Sequence, residues 1–173
     1  ETDLADLDRA QDRELLIGNR LGGYTALSPL GAPGRRYHGL LVAALQPPVA
    51  RTVLAGPPML WARTDDDWLP LFSFEMEPCH FSPQLGAPQH EVSVGVGGVT
   101  KRWSLAVGVL TERHTAVHGA NAVLLSLSLD AAASSGVDLL LRLTATAHDH
   151  HDALVGDVAC AETHVDERSQ QGS

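Results

Sequence analysis

The feature that most constrains this chain is an alternation of apolar and polar residues with a period of two, which recurs from Tyr37 to Ala147. Between Val99 and Val109, the residues Val99, Lys101, Trp103, Leu105, Val107 and Val109 fall on one side; Thr100, Arg102, Ser104, Ala106 and Gly108 fall on the other. Successive side chains of an extended backbone point to opposite faces, so this segment predicts one long strand. Val123, Leu125, Leu127 and Leu129 alternate with Ala122, Leu124, Ser126 and Ser128, and Val137 to Leu143 alternate in the same way. Both runs predict half-buried strands. His118 to Asn121 and the small-residue segment Ala131 to Gly136 read as the turns between them, which predicts a meander.

Upstream, Tyr37 to Leu45, Arg51 to Leu54, Met59 to Arg63 and Leu69 to Phe74 are further strand candidates, separated by Pro47-Pro48, Gly56-Pro57-Pro58 and the acidic tip Asp65 to Asp67. Pro78 to Gln89, with three prolines, reads as a loop. Turns at this spacing predict an all-β, antiparallel β-sandwich. The exception is residues 3–16, where Leu4, Leu7 and Leu15 fit one helical face with Asp3 as N-cap. The expected organisation is a lead-in over 1–16 that admits a short helix, a sandwich over 17–161 and a polar, flexible tail over 162–173.

Composition supports a single folded domain: of 173 residues, 44% are hydrophobic and 19% charged. The longest apolar run, Leu40 to Leu45, is far shorter than the roughly 20 residues a membrane-spanning helix needs, and the start has no signal-peptide pattern. Cys79 and Cys160 are the only cysteines, too few for a disulfide framework or a four-cysteine metal site. A cytoplasmic location, with no membrane partner and no cofactor, is expected.

The net charge of −9 resides at the ends. Residues 1–14 hold six acids and two arginines (−4), and residues 149–173 hold six acids and one arginine (−5). The segment between them therefore balances nine acids with nine bases, and no basic face remains for a polyanion. Nucleic acid is excluded as a partner, while a neutral glycan or a protein surface stays open.

Asn19 to Ala44 is the most distinctive segment, NRLGGYTALSPLGAPGRRYHGLLVAA. Gly22-Gly23 and Gly31 to Gly34 supply turns, and Arg35-Arg36-Tyr37-His38 then opens a buried apolar strand. A polar cluster at the mouth of a buried strand either forms a site or satisfies loop carbonyls; the residues alone admit both readings.

This segment resembles the N-terminal domain of bacterial and archaeal glycogen debranching enzymes, whose signature runs N-x-L-G-G-Y, a variable loop, then R-R/K-Y-H-G-L-L-V-A. The matching positions are Asn19, Leu21 to Tyr24, and Arg35 to Ala43. Val99 to Trp103 and Val117 to Val123 are similar to the family's long hairpin with its H-G-x-N turn, and Leu139 to Leu154 is similar to its L-x-L-R-P-L-x-x-R-D-x-H-x-L segment. His148 stands where the family often has an arginine, so no ligand role for it is inherited. The resemblance implies a β-supersandwich packed on a separate (α/α)6 barrel that holds the catalytic carboxylates. It implies a part in α-glucan breakdown, by maltosyl transfer and hydrolysis of the α-1,6 branch, with Arg36, Tyr37, His38, Asp149, His150 and His151 at the cleft rim or domain interface. The α-glucan and the (α/α)6 domain are the implied partners, and no residue here is implied as catalytic. A free-standing carbohydrate-binding module and a structural association domain are the alternatives.

Other constellations carry less. His148 and His150 would share a strand face about 7 Å apart, which is two ligands and not a metal site. His114 and His118, spaced as on a zinc-binding helix, would lie roughly 13 Å apart in an extended chain. Glu75 and Glu77 share a strand face as a glycosidase pair might be arranged, although exposed glutamates alternate in this way more often. Glu112 is expected to pair with an arginine or face solvent. Trp61 and Trp68 are candidates for stacking on sugar rings, with core packing as the rival reading for all three tryptophans. No metal is expected.

Overall fold

The computed structural model describes residues 13–31, 35–63, 67–77, 80–82, 89–131, 136–151 and 159–162, of which 74–77, 80–82, 89–90 and 159–162 are described in backbone only. Every regular element among them is a strand. In chain order these are β1 Leu15–Gly18, β2 Tyr24–Leu27, β3 Gly39–Gln46, β4 Val49–Ala55, β5 Met59–Arg63, β6 Trp68–Pro70 and β7 Phe74–Glu77. There follow β8 His80–Ser82, β9 Gln89–Gly95, β10 Gly98–Leu105, β11 Gly108–Ala116, β12 Val123–Ala131, β13 Asp138–Asp149 and β14 Ala159–Glu162. Strand already occupies Leu15 and Leu16, inside the lead-in for which a helix had been considered; residues 1–12 of that expectation lie outside the described residues.

Eight strands form the larger sheet, hydrogen-bonded in the order β1-β2-β3-β4-β13-β5-β6 with β14 also on β13. The smaller sheet is the antiparallel meander β12-β11-β10-β9, and β7-β8 is a separate hairpin. β8 lies inside Pro78 to Gln89, against the expectation of a loop there, and two further expectations are corrected. Val99 to Val109 is a hairpin and not one strand: Leu105 faces Gly108 across a two-residue turn. The inward set is odd-numbered in β10 (Val99, Lys101, Trp103, Leu105) and even-numbered in β11 (Leu110, Glu112, His114), so the alternation changes phase at the turn. Gly108 makes the turn feasible, because at φ 151° a Cβ there would stand 2.2 Å from the Asp130 carbonyl oxygen.

The second correction concerns Ala131 to Gly136, which does not close a hairpin. β12 is an edge of the smaller sheet, whereas β13 pairs with β4, β5 and β14 of the larger one, so the chain changes sheets between them. Against β13, Thr52 lies opposite Asp149, Ala55 opposite Ala145, Met59 opposite Arg142 and Arg63 opposite Asp138. The Gly56 amide continues this register by donating to the Thr144 carbonyl at 2.8 Å. β4 and β5 are thus two halves of one line, broken at Gly56-Pro57-Pro58 and splinted by β13. Prolines lack the amide a ladder needs, which accounts for the break.

The sandwich is closed by two apolar clusters. Leu60, Ala62 and Leu71 meet Trp103, Leu105 and Leu110 in one; Leu15 and Leu27 meet Val99 in the other, with Ile17 and Val92 alongside. Each fully buried side chain of this size contributes about 1.5–3 kcal/mol from removal of apolar surface from water. Lys101 and Glu112 lie opposite each other on the inner face of the β10–β11 hairpin, in the pair between Val99–His114 and Trp103–Leu110.

Candidate functional site

The glycine turn between β1 and β2 is held by Asn19, which is 2% exposed. Its amide accepts Leu21 N–H at 2.8 Å through Oδ1 and donates through Nδ2 to the Ala120 carbonyl and the Asn121 side chain, while its backbone carbonyl accepts Gly119 N–H. Gly22 has φ 96°, and a Cβ on it would stand 2.4 Å from the Pro48 carbonyl oxygen, so the turn packs directly on the β3–β4 connection. Tyr24 leaves this turn into β2, and its hydroxyl donates to the Tyr37 carbonyl at 3.3 Å. Both halves of the sequence signature therefore meet in space.

Arg35 and Arg36 are exposed, Tyr37 is half-buried, and His38 is buried at the start of β3. Burial holds the His38 imidazole below its ordinary pKa. Arg36 Nη1 donates to the His151 carbonyl at 3.2 Å, which joins the signature loop to the end of β13. There the His150 amide donates to the Arg51 carbonyl at 3.2 Å, and the His150 ring packs at 3.8 Å between centroids on His151 and edge-on at 6.5 Å against Tyr24. Asp149 accepts the His151 amide at 2.9 Å, and that bond holds its carboxyl below the usual range. Arg36, Tyr37, Asp149, His150 and His151 accordingly form one polar patch, with His38 beneath it and its ring edge-on to Tyr37 at 5.5 Å.

Beside this patch lies an open groove of about 500 Å³ lined by Glu14, Leu16, Arg20, Tyr24, Tyr37 and Arg51 around the glycine turn. Glu14 Oε1 accepts the Tyr37 hydroxyl at 2.6 Å and Arg35 Nε at 2.9 Å. The bond to Glu14 raises the Tyr37 phenol, and burial raises that of Tyr24, so both rings are neutral near pH 7. Arg51 Nε donates to the Gly22 carbonyl at 2.7 Å. Among the described residues that line the groove, Glu14 is the one carboxylate.

The remaining candidates lie elsewhere. Trp61 is half-buried, with Phe72 edge-on at 4.7 Å and the Arg142 guanidinium 5.6 Å from its ring centre. Trp68 is 42% exposed, with Arg63 over its ring at 5.1 Å. Glu75 and Glu77 belong to β7, whose register is irregular between them, and their side chains lie outside the described residues. His148 is half-buried and His118 exposed, while His114 is buried in the core. Among the described residues no group of three or more His, Cys, Asp or Glu side chains is placed to hold a metal ion.

One polar cluster was not anticipated. Glu112 neither faces solvent nor pairs with an arginine: at 4% exposure it accepts Trp103 Nε1 at 3.1 Å and lies 2.6 Å from His114 Nε2, with Lys101 opposite it. Burial pushes its carboxyl up, but the positive charge of Lys101 and the bonds to His114 and Trp103 outweigh that and hold it at about 2. Burial lowers the Lys101 amine. Gly108, read as a turn, would have revealed this cluster, because the phase change turns Glu112 and His114 inward.

The patch and groove can hold a polar, uncharged ligand or a partner surface. No helix among the described residues is long and apolar enough to cross a membrane. Comparison with curated proteins and with solved structures gives no match. The family model described as glycogen debranching enzyme N terminal matches residues 13–171, a span that takes in the glycine turn, the patch and both sheets. The chain therefore belongs to the family of glycogen debranching enzyme N-terminal domains.

Proposed function

We propose that this chain is the non-catalytic β-sandwich of a cytoplasmic glycogen debranching enzyme, which buttresses a separate (α/α)6 catalytic domain and lends its polar patch to the rim of the α-glucan cleft. The observation that carries this reading is the bond from Arg36 to the His151 carbonyl, which brings two segments distant in sequence, each with the family's pattern, to one surface beside a groove. The single carboxylate among the groove's described residues favours a supporting role over a catalytic one, because glycoside hydrolysis needs two carboxyl groups about 5–10 Å apart.

The test is retention of the 173-residue chain on immobilised glycogen, with glucose release from a branched limit dextrin measured in parallel. Retention that falls in Arg36→Ala and His151→Ala, without glucose release, is the expected result. Turnover that vanishes in Glu75→Gln or Glu77→Gln would overturn it. Retention insensitive to Arg36→Ala but lost in Trp68→Ala would favour a free-standing binding module, the reading to which the exposure of Trp68 lends support.

A further inference from the structure

The smaller sheet is covered unevenly. On its middle strands the inward residues Val99, Lys101, Trp103, Leu110, Glu112 and His114 are buried. Beside them on β12, Leu125, Leu127 and Leu129 are only half-buried, and Leu124 on the opposite face is 60% exposed. No further strand pairs with β12 among the described residues, so one row of its backbone amides and carbonyls is left without a ladder partner there. Other strands that end a ladder discourage a foreign strand: β1, β6 and β14 have only three or four residues, β6 closes on Pro70, and β9 carries Glu91 and a register shift against β10. β12 has none of these devices. Its nine residues pair with β11 in unbroken register, without proline, lysine or arginine, and its one charge, Asp130, lies next to its end.

The strand that best complements β12 is β12 itself. Leu125-Ser126-Leu127-Ser128-Leu129 reads the same in both directions, and its centre, Leu127, is the midpoint of the strand. Two copies laid antiparallel about that point keep every residue of β12 paired, with Leu127 opposite Leu127, Ser126 opposite Ser128 and Leu125 opposite Leu129. Leucines then meet leucines on the inner face, which covers the half-buried row, and hydroxyls meet hydroxyls on the outer face. Asp130 falls opposite Leu124, so the two carboxylates stand about 20 Å apart along the strands. That separation exceeds the roughly 8 Å over which exposed charges act in physiological salt. We propose that β12 is a homodimer interface, at which two copies of this chain join edge to edge across a two-fold axis and continue the four-stranded sheet into an eight-stranded one. The contact uses no residue of the polar patch or the groove, and it stands independently of the glucan-rim role.

Sedimentation velocity of the 173-residue chain from micromolar to millimolar concentration tests the interface. A contact one strand wide lies at the small end of specific interfaces, under about 1,200 Å² in total, so a dimer that fills only in the upper part of that range is expected. Ser126→Lys combined with Ser128→Lys sets like charges opposite each other in this register and should weaken the dimer at least about tenfold. Ser126→Lys combined with Ser128→Glu sets opposite charges against each other and should preserve or tighten it. Both side chains are exposed, so the circular dichroism of either double variant should match that of the parent. The contrast reads the register itself, because two edges that merely adhere would not distinguish the two double variants. A mass that stays monomeric at millimolar concentration overturns the proposal. A dimer that responds alike to both double variants, by loss or by indifference, overturns it as well.

Discussion

Asn121 satisfies both backbone groups of Ala44: its Oδ1 accepts the Ala44 amide at 3.1 Å and its Nδ2 donates to the Ala44 carbonyl at 2.8 Å. Asn121 lies in the turn between β11 and β12 of the smaller sheet, whereas Ala44 is buried in β3 of the larger one. The pair is thus a cross-sheet staple, and Asn19 Nδ2 reinforces it with a donation to the same Oδ1 at 3.1 Å. Asn121→Ala leaves a buried amide and carbonyl without partners and should cost about 3 kcal/mol, read as a lower urea midpoint at unchanged slope.

Gly22→Ala should destabilise by at least about 2 kcal/mol. The positive φ disfavours a side chain, and the new methyl would overlap the Pro48 backbone. Thermal unfolding of the variant checks this. An unchanged midpoint would mean that the turn does not rest on the β3–β4 connection.

Glu112→Gln should cost about 3–5 kcal/mol, because it strands the Lys101 ammonium in the core without its counter-charge. Lys101→Met combined with Glu112→Leu should recover much of that loss, since two apolar groups need no pairing. A double variant less stable than Glu112→Gln alone would show that the bonds from Trp103 and His114 matter more than the charge pair.

Stability should also depend on acid. The Glu112 carboxyl sits at about 2 in the folded chain against 4.5 ordinarily, so its stabilisation is complete above about pH 5 and lost progressively as pH falls towards 2. The pKa difference corresponds to roughly 3 kcal/mol. Denaturation midpoints recorded across that range should fall steeply in the parent chain and more shallowly in the Lys101→Met, Glu112→Leu variant.

Lys101 is the only lysine in the sequence and has no exposed surface. A succinimidyl ester applied to the folded protein at neutral pH should therefore modify the terminal amine and spare Lys101, with a second adduct on unfolding. Mass spectrometry of the two samples gives the count. Rapid double labelling without denaturant would contradict the burial.

The fold class was legible because period-two patterning survives wherever one strand face is buried, as in β5 and β10, or half-buried, as in β12. The pairing of strands was less so. A hairpin and a long strand share the same alternation, and only a phase change at Leu105 to Gly108 separates them. Nothing local in Ala131 to Gly136 distinguishes a turn within a sheet from a passage between sheets, because that choice is made by which edge is vacant. The polar patch was legible from its motifs. The groove was not, since Glu14, Leu16 and Arg51 belong to no motif and meet only through the pairing of β1 with β2 and of β3 with β4.

The splinting of β4 and β5 by β13 also sets an order of events. On a ribosome the two halves of the line emerge early and the strand that bridges them follows more than seventy residues later, so the larger sheet cannot close until β13 has emerged. A nascent chain halted before Asp138 holds two strand groups with no hydrogen-bonded ladder between them, each with a bare edge open to another copy. Premature termination should thus yield aggregates and not a smaller soluble sandwich, and a peptide spanning Asp138–Asp149 supplied in trans is the natural agent to restore solubility.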